Sequence, residues 1–191
     1  MTLRMLFSKQ TYVERRRKLR ELVGSGLILL FGNNDSPNNY PANAYKFRQD
    51  SCFLYFFGQK RDGLVGVIDA DSGEELLLGN EIDIEDIVWY GSVHSVKAMA
   101  EETGANASAP MARLAELVNE ARKAGRKIHF LPPYRHDTQI ALMDLLGIHP
   151  SEQRAAASLE LIKAVVKLRS IKTEGRLWND GDDQCVPAHS D

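Results

Sequence analysis

The chain has little cysteine, no long apolar run and no excess of one charge. Its two cysteines, Cys52 and Cys185, form neither a CxxC pair nor a disulfide framework, which favours a reducing compartment and predicts a cytoplasmic protein. No apolar run reaches about 18 residues, and residues 1–7 lack the pattern of a signal peptide, so no membrane association is predicted. With 24 basic and 26 acidic residues, the net charge of −2 provides no overall field for binding nucleic acid.

Sequence patterns of known catalytic sites are also missing. Ser51 and Cys52 lie outside any GxSxG motif, and no GxGxxG or Walker loop is present. The basic run at residues 15–18 is flanked by Glu14 and Glu21, which can pair with it on a helix surface. The histidines show no HExxH or other ligand spacing, and we expect structural or surface roles for His94, His129, His136 and His149. We therefore expect no catalytic residue and no metal ligand in this chain.

What the sequence does contain is the periodicity of one globular domain with 43% hydrophobic residues. Apolar runs predict strands at 27–31, 53–57, 64–68, 75–78 and 127–131. Amphipathic segments predict helices at 8–23, 84–88, 93–103, 111–124, 137–146 and 152–168. Residues 32–44, rich in Asn, Asp, Ser and Pro, predict an exposed loop. Strands separated by helices predict an α/β fold with a mixed β-sheet flanked by helices on both faces.

The segment at residues 47–58, FRQDSCFLYFFG, is the most informative one. Five apolar or aromatic residues at 53–57 predict a strand buried on both faces. Before them, Asp50 and Ser51 can bond nearby backbone donors, and Arg48 can bond carboxylates or carbonyls. We predict that residues 48–51 form the turn that fixes where this strand begins.

The same segment resembles the Phe-Arg-Gln-Asp-Ser-x-Phe-x-Tyr-x-x-Gly signature of Xaa-Pro aminopeptidases, the metallopeptidases related to prolidase and creatinase. Residues 12–19 and 27–31 resemble the family's first helix and first strand. Residues 83–91 resemble its Trp-x-Gly segment, and residues 168–174, LRSIKTE, resemble the start of its catalytic domain. The four matches follow the family's order and together cover residues 8 to 174.

The resemblance implies a fold of the creatinase/aminopeptidase P N-terminal domain type, with a non-catalytic domain at residues 1–168 and the approach to a catalytic domain at 169–191. It implies that the complete enzyme releases an N-terminal residue preceding proline, with two manganese ions bound beyond residue 174. We expect the chain alone to be inactive. The implied partners are its own C-terminal catalytic domain, further copies in a homo-oligomer and proline-containing peptides.

The resemblance also assigns roles to individual residues. It implies that Trp89 reaches a neighbouring subunit's active site, although packing and subunit contact are the alternatives on sequence alone. It makes Arg48, Asp50, Ser51, Tyr55 and Gly58 the structural signature, which holds a turn rather than touching substrate. These implications concern scaffold and access, not chemistry.

Two departures from the family and one rival hypothesis accompany this interpretation. Cys52 replaces a small polar residue, and the loop at residues 33–43 matches loosely. The tail after Glu174 lacks a helical period, and its Gly, Pro and acidic content predicts disorder. We hypothesise a shifted reading frame or an artificial tail, which sequencing the encoding DNA would reveal. The rival hypothesis is a non-catalytic peptide- or protein-binding module of the same fold, as in a histone-chaperone subunit.

Overall fold

The computed structural model describes residues 7–40, 43–81 and 94–171. Within these ranges the helices are α1 (Lys9–Val23), α2 (Ser51–Phe57), α3 (Val96–Thr103), α4 (Arg113–Lys123), α5 (His136–Leu146), α6 (Pro150–Ala156) and α7 (Leu159–Ser170). The strands are β1 (Leu27–Phe31), β2 (Val65–Asp69), β3 (Glu75–Leu78), β4 (Ala107–Ala109) and β5 (Ile128–Phe130). The predicted helix at 84–88 lies outside the described residues.

The strands form one mixed sheet in the order β4-β3-β2-β1-β5. β1 pairs antiparallel with β2, and β2 pairs antiparallel with β3 through the predicted hairpin. The two outer strands pair in parallel, β5 with β1 and β4 with β3. The predicted mixed α/β fold is confirmed, and its middle strands are the apolar runs that the sequence indicated.

Helices cover both faces of the sheet. Successive side chains of β1 show this, because they pack alternately into two different hydrophobic clusters. Ile28 and Leu30 lie in a hydrophobic cluster with residues of α1, α2, α3 and α7. Leu27 and Leu29 lie in a second cluster on the opposite face, with residues of α4 and the end of α5. Because successive side chains of a strand point to opposite faces, an unbroken apolar run is what such a two-sided core requires.

The strand predicted at residues 53–57 is wrong, because these residues form α2. Asp50 caps the N-terminus of this helix, and Gly58 ends it in the left-handed conformation at φ 69°. Phe53, Phe56 and Phe57 are buried, at the i, i+3, i+4 spacing of one helical face. The two capping residues therefore turn the aromatic run into a two-turn helix that packs on the sheet.

Two further differences concern the ends of the sheet and the last helices. β4 was not predicted, since its three small residues carry no apolar signal. The single helix predicted at 152–168 is divided, because Ala157 and Ser158 adopt extended backbone conformations between α6 and α7. The Ser158 hydroxyl then accepts from the amide of Leu161 and caps α7.

A buried arginine ties α1 to three other elements. Arg16 is fully buried, and its Nε donates to Glu75 Oε2 of β3 at 2.6 Å. Its two terminal nitrogens donate to the carbonyls of Phe56, at 2.8 Å, and Thr103, at 3.0 Å. These carbonyls lie at the C-terminal ends of α2 and α3, where helix carbonyls lack partners within the helix. Arg16 thus fixes both helix ends against the sheet.

Candidate functional site

The signature segment begins with a helix cap at Asp50. Its Oδ1 accepts from the amides of Cys52 and Phe53, both at 2.8 Å. Its second oxygen, Oδ2, accepts from the hydroxyl of Tyr134 at 3.1 Å. One carboxylate therefore starts α2 and also anchors it to the loop that follows β5.

Gln49, which sequence reasoning passed over, holds the turn from inside. It is buried, and its Oε1 accepts from the amides of Asn33 at 2.6 Å and Asp50 at 2.8 Å. Its Nε2 donates to the carbonyl of Arg61 at 2.6 Å. Gln49 therefore joins the loop after β1, the cap of α2 and the loop before β2. A glutamine between two charged residues gives no sequence signal of burial.

Arg48 contributes through its backbone. Its carbonyl accepts from Asn33 Nδ2 at 2.8 Å, while the residue itself is exposed. The predicted turn at 48–51 is therefore present, and it starts a helix rather than a strand.

Ser51 and Tyr55 contact the end of α7, more than 110 residues away in the chain. The Tyr55 hydroxyl donates to the carbonyl of Leu168 at 2.9 Å. Arg169 Nη1 lies 3.2 Å from Ser51 Oγ and 2.9 Å from Cys52 Sγ, and it donates to this pair. Three side chains of α2 thus hold the last turn of α7. We call this group the α2–α7 clasp, and it consists of Ser51, Cys52, Tyr55, Leu168 and Arg169.

The ring of Tyr55 also packs against a buried cation. The guanidinium carbon of Arg15 lies 4.0 Å from the centroid of the Tyr55 ring and 4.3 Å from that of Phe7. Arg15 Nη1 also donates to the carbonyl of Tyr55 at 3.0 Å. Stacking of this kind adds about 1 to 2 kcal/mol where the cation is desolvated. Through Arg15, α1 therefore also supports the clasp.

A groove of about 670 Å³ opens beside the clasp. α1 contributes Thr11, Glu14 and Lys18 to its lining, and α7 contributes Lys167 and Leu168. Ile171, which is 69% exposed, lies at its rim. The groove therefore borders the end of α7.

Gly58 closes α2 at a position that no other residue suits. At φ 69° the backbone is left-handed, and an added Cβ would lie 2.5 Å from the Tyr12 hydroxyl oxygen. Tyr12 is itself fully buried, so the ring has no room to withdraw. The glycine of the signature is thus required by the close approach of α1.

Cys52 is a poor nucleophile in this setting. Burial raises the pKa of its thiol, the Asp50 carboxylate adds to the rise, and the Arg169 guanidinium opposes it. The thiol therefore stays protonated at neutral pH, whereas a reactive cysteine needs the thiolate. Ser51 is held by Arg169 and has no histidine among its hydrogen-bond partners in the described residues.

The four histidines of the described ranges have separate neighbours. His94 bonds Glu102, His129 bonds Ser158, His136 bonds Gln139 and His149 bonds Ser151. No group of three or more His, Cys, Asp or Glu side chains converges there in a way that could hold a metal ion. Nor is any helix within these ranges both long and apolar enough to cross a membrane.

Of the residues singled out from sequence, Asp50, Ser51, Tyr55 and Gly58 therefore meet around α2, joined by the backbone of Arg48. Trp89, Cys185 and the tail after Glu174 lie outside the described residues. The arrangement holds the polypeptide at residues 168 and 169.

Comparison with known proteins gives a family match. The family model described as aminopeptidase P, N-terminal domain, matches residues 12–129, more than half of the chain. The match includes the whole signature segment and the sheet up to β5.

Relatives and solved structures extend the match. The chain is 26% identical over 172 residues to the mitochondrial intermediate cleaving peptidase 55 of Arabidopsis thaliana, covering 88% of the chain and 33% of the relative. It is 28% identical over 95 residues to human Xaa-Pro dipeptidase, covering 50% of the chain and 19% of the relative. Zinc-substituted aminopeptidase P of Escherichia coli, in complex with product, shares the fold with TM-score 0.73 and 18% identity, over 90% of this chain and 41% of that one. The chain thus spans at most about a third of the curated relatives' length.

Proposed function

The chain belongs to the family of aminopeptidase P N-terminal domains, and on this premise we propose that it serves as the non-catalytic scaffold of an Xaa-Pro aminopeptidase-like enzyme. Its role is to fix the position at which the chain leaves α7 toward a catalytic domain. The observation that carries the proposal is the α2–α7 clasp, in which Ser51 and Tyr55 of the signature bind residues 168 and 169. A signature that served only α2 would need no contact with α7.

The geometry supports a rigid attachment. Leu168 and Arg169 are held by side chains of α2, and α2 is in turn held by Arg15 and Arg16 of α1. Buried, hydrogen-bonded arginines of this kind lose their interactions if the elements shift, so they favour one arrangement. A catalytic domain that continues from α7 would therefore take a defined orientation.

The complete enzyme, in this proposal, removes an N-terminal residue that precedes proline. The family resemblance implies two manganese ions for that reaction, which would activate a water and polarise the scissile carbonyl. The described residues do not fit such a site, because they contain no convergent set of ligands. No step of the reaction is therefore assigned to them.

We further propose that this domain contributes to oligomer contacts and substrate access through Trp89. The support is the resemblance of residues 83–91 to the family's Trp-x-Gly segment. In the full-length enzyme, Trp89→Ala should raise KM for proline peptides while the oligomer stays intact by analytical ultracentrifugation. Unchanged peptide kinetics with an intact oligomer would refute the substrate role.

The small number of cysteines supports the proposal of a cytoplasmic location. The Arabidopsis relative is by its name mitochondrial.

The main test uses the purified chain and a proline-containing tripeptide. We expect no hydrolysis with added Mn²⁺ and no saturable heat of binding by calorimetry, with hydrolysis restored in a polypeptide that joins the chain to a catalytic domain. Saturable binding to the chain alone would favour the rival binding module. Hydrolysis by the chain alone, with tightly held metal, would refute the scaffold role.

A further inference from the structure

A buried histidine lies at the start of α7, at the opposite end from the clasp. His129 of β5 is 2% exposed. Its Nε2 lies 2.9 Å from the carbonyl oxygen of Ser25, and its Nδ1 lies 2.6 Å from Ser158 Oγ. Ser158 is the N-cap of α7 and is buried as well. The ring thus joins the sheet to the first turn of the helix.

The carbonyl of Ser25 settles where one ring proton lies. A carbonyl oxygen only accepts, so Nε2 must carry a hydrogen and donate it. In the neutral ring, Nδ1 is then an acceptor, and the Ser158 hydroxyl donates to it. The tautomer follows from the partner rather than from an assumption about the ring.

Ser158 Oγ has one contact more than a neutral ring allows. It accepts from the Leu161 amide at 3.2 Å and lies 3.0 Å from Glu160 Oε2. A hydroxyl has a single hydrogen, so it cannot donate to both Nδ1 and the carboxylate. If Nδ1 is protonated, the ring donates to Oγ, Oγ donates to Glu160, and all four contacts are hydrogen bonds at once.

We propose that His129, Ser158 and Glu160 form a pH-dependent latch at the N-terminus of α7. When the ring gains its second proton, the Ser158 hydroxyl turns from Nδ1 to the Glu160 carboxylate and holds it on the helix cap. When the ring loses that proton, the hydroxyl turns back to Nδ1, and Glu160 keeps its ion pair with Lys127, whose Nζ lies 2.8 Å from Oε1. The inference is independent of the proposed function.

The charged groups around the ring act in opposite directions. Burial is the largest effect and lowers the pKa of His129 from its ordinary value, and Lys127 lowers it further. Glu160 of α7 and Asp71 of the β2–β3 turn raise it, although Arg126 also pairs with Asp71 at 2.6 Å. The ring therefore gains its second proton, and the latch closes, at a pH below the ordinary pKa of histidine. Glu160 and Asp71 oppose the effect of burial.

The test follows the ring by NMR in the full chain labelled with ¹⁵N-histidine, the His129 signals being assigned by their loss in His129→Gln. At pH 8.5 the wild type should show the Nε2–H tautomer. Glu160→Gln should lower the pKa of His129, because an anion that stabilises the imidazolium is lost, and Lys127→Gln should raise it. The decisive comparison is Glu160→Gln in a Ser158→Ala background, where the lowering should shrink because the hydroxyl relay is gone.

Two results would overturn the latch. An Nδ1–H tautomer in the wild type at pH 8.5 would reverse the direction of the bond to Ser158. An equal lowering of the pKa with and without the Ser158 hydroxyl would mean that Glu160 acts on the ring through space alone. Ser158→Gly provides a second background if Ser158→Ala is poorly folded.

Discussion

The Tyr55 hydroxyl donates a 2.9 Å hydrogen bond to the carbonyl of Leu168, although 113 residues separate the two in sequence. The bond joins the middle of the signature helix to the end of α7. Because the carbonyls of a last helical turn lack partners within their helix, a side chain that reaches one of them stabilises that turn. Tyr55 of the signature is therefore a structural contact between α2 and the end of α7.

The cap at Asp50 can be tested by a matched pair of substitutions. Asp50→Ala removes the acceptor for the amides of Cys52 and Phe53, and it should lower the free energy of unfolding by about 1 to 2 kcal/mol. Asp50→Asn keeps a side-chain oxygen and should cost clearly less. Urea unfolding followed by circular dichroism measures both. Equal losses for the two variants would show that the charge, rather than the cap, is what matters.

Alanine substitutions at Gly58 and Gly125 distinguish the cost of a left-handed backbone from the cost of a steric clash. Both are left-handed, at φ 69° and φ 65°, but an added Cβ meets Tyr12 at Gly58 and nothing within 4 Å at Gly125. Gly125→Ala should therefore cost about 1 kcal/mol for the backbone alone. Gly58→Ala should cost about 1 to 3 kcal/mol more, since the ring of Tyr12 is buried. Chemical denaturation of both variants tests the difference, and similar losses would contradict the close approach of α1 to α2.

Alanine substitutions at Arg16 and Arg17 compare the contribution of a buried ion pair to stability with that of exposed ion pairs. Arg16→Ala leaves Glu75 buried beside Arg20 alone and removes the donors to two helix-end carbonyls, so the loss should be about 3 to 5 kcal/mol. Arg17 pairs with Glu14 and Glu21 on the exposed face of α1, and Arg17→Ala should change stability little. Thermal unfolding by calorimetry measures both. A small effect of Arg16→Ala would mean that the buried pair does not hold α1, α2 and α3 together.

Much of the fold could be predicted from local pattern. β1, β2 and β3 are apolar runs between turn residues, and a two-sided sheet core needs such runs. The run at 53–57 has the same composition, yet it forms α2, because an apolar run alone does not distinguish a buried strand from a buried helix. Asp50 and Gly58, one at each end, were the signal that decides between them.

The parts that escaped prediction depend on contacts between distant residues. β4 consists of Ala107–Ala109, and it is a strand only because β3 offers it a parallel partner. Gln49 is buried because three loops meet around it, which no window of sequence reveals. The clasp likewise joins residues 51–55 to residues 168–169. The signature could be recognised from sequence, but what it holds could not.

The central claim is that the signature residues hold the end of α7, and hydrogen exchange at that end tests it most directly. Tyr55→Phe removes one hydroxyl and keeps the ring, so the amides of the last turn of α7 should lose about fivefold in protection, equivalent to a bond of about 1 kcal/mol. The control is Tyr45→Phe, at a tyrosine that is 60% exposed, which should leave those amides unchanged. The comparison applies to amides that exchange by local opening rather than by global unfolding. Equal protection of the last turn of α7 in the wild type and in Tyr55→Phe would contradict the account.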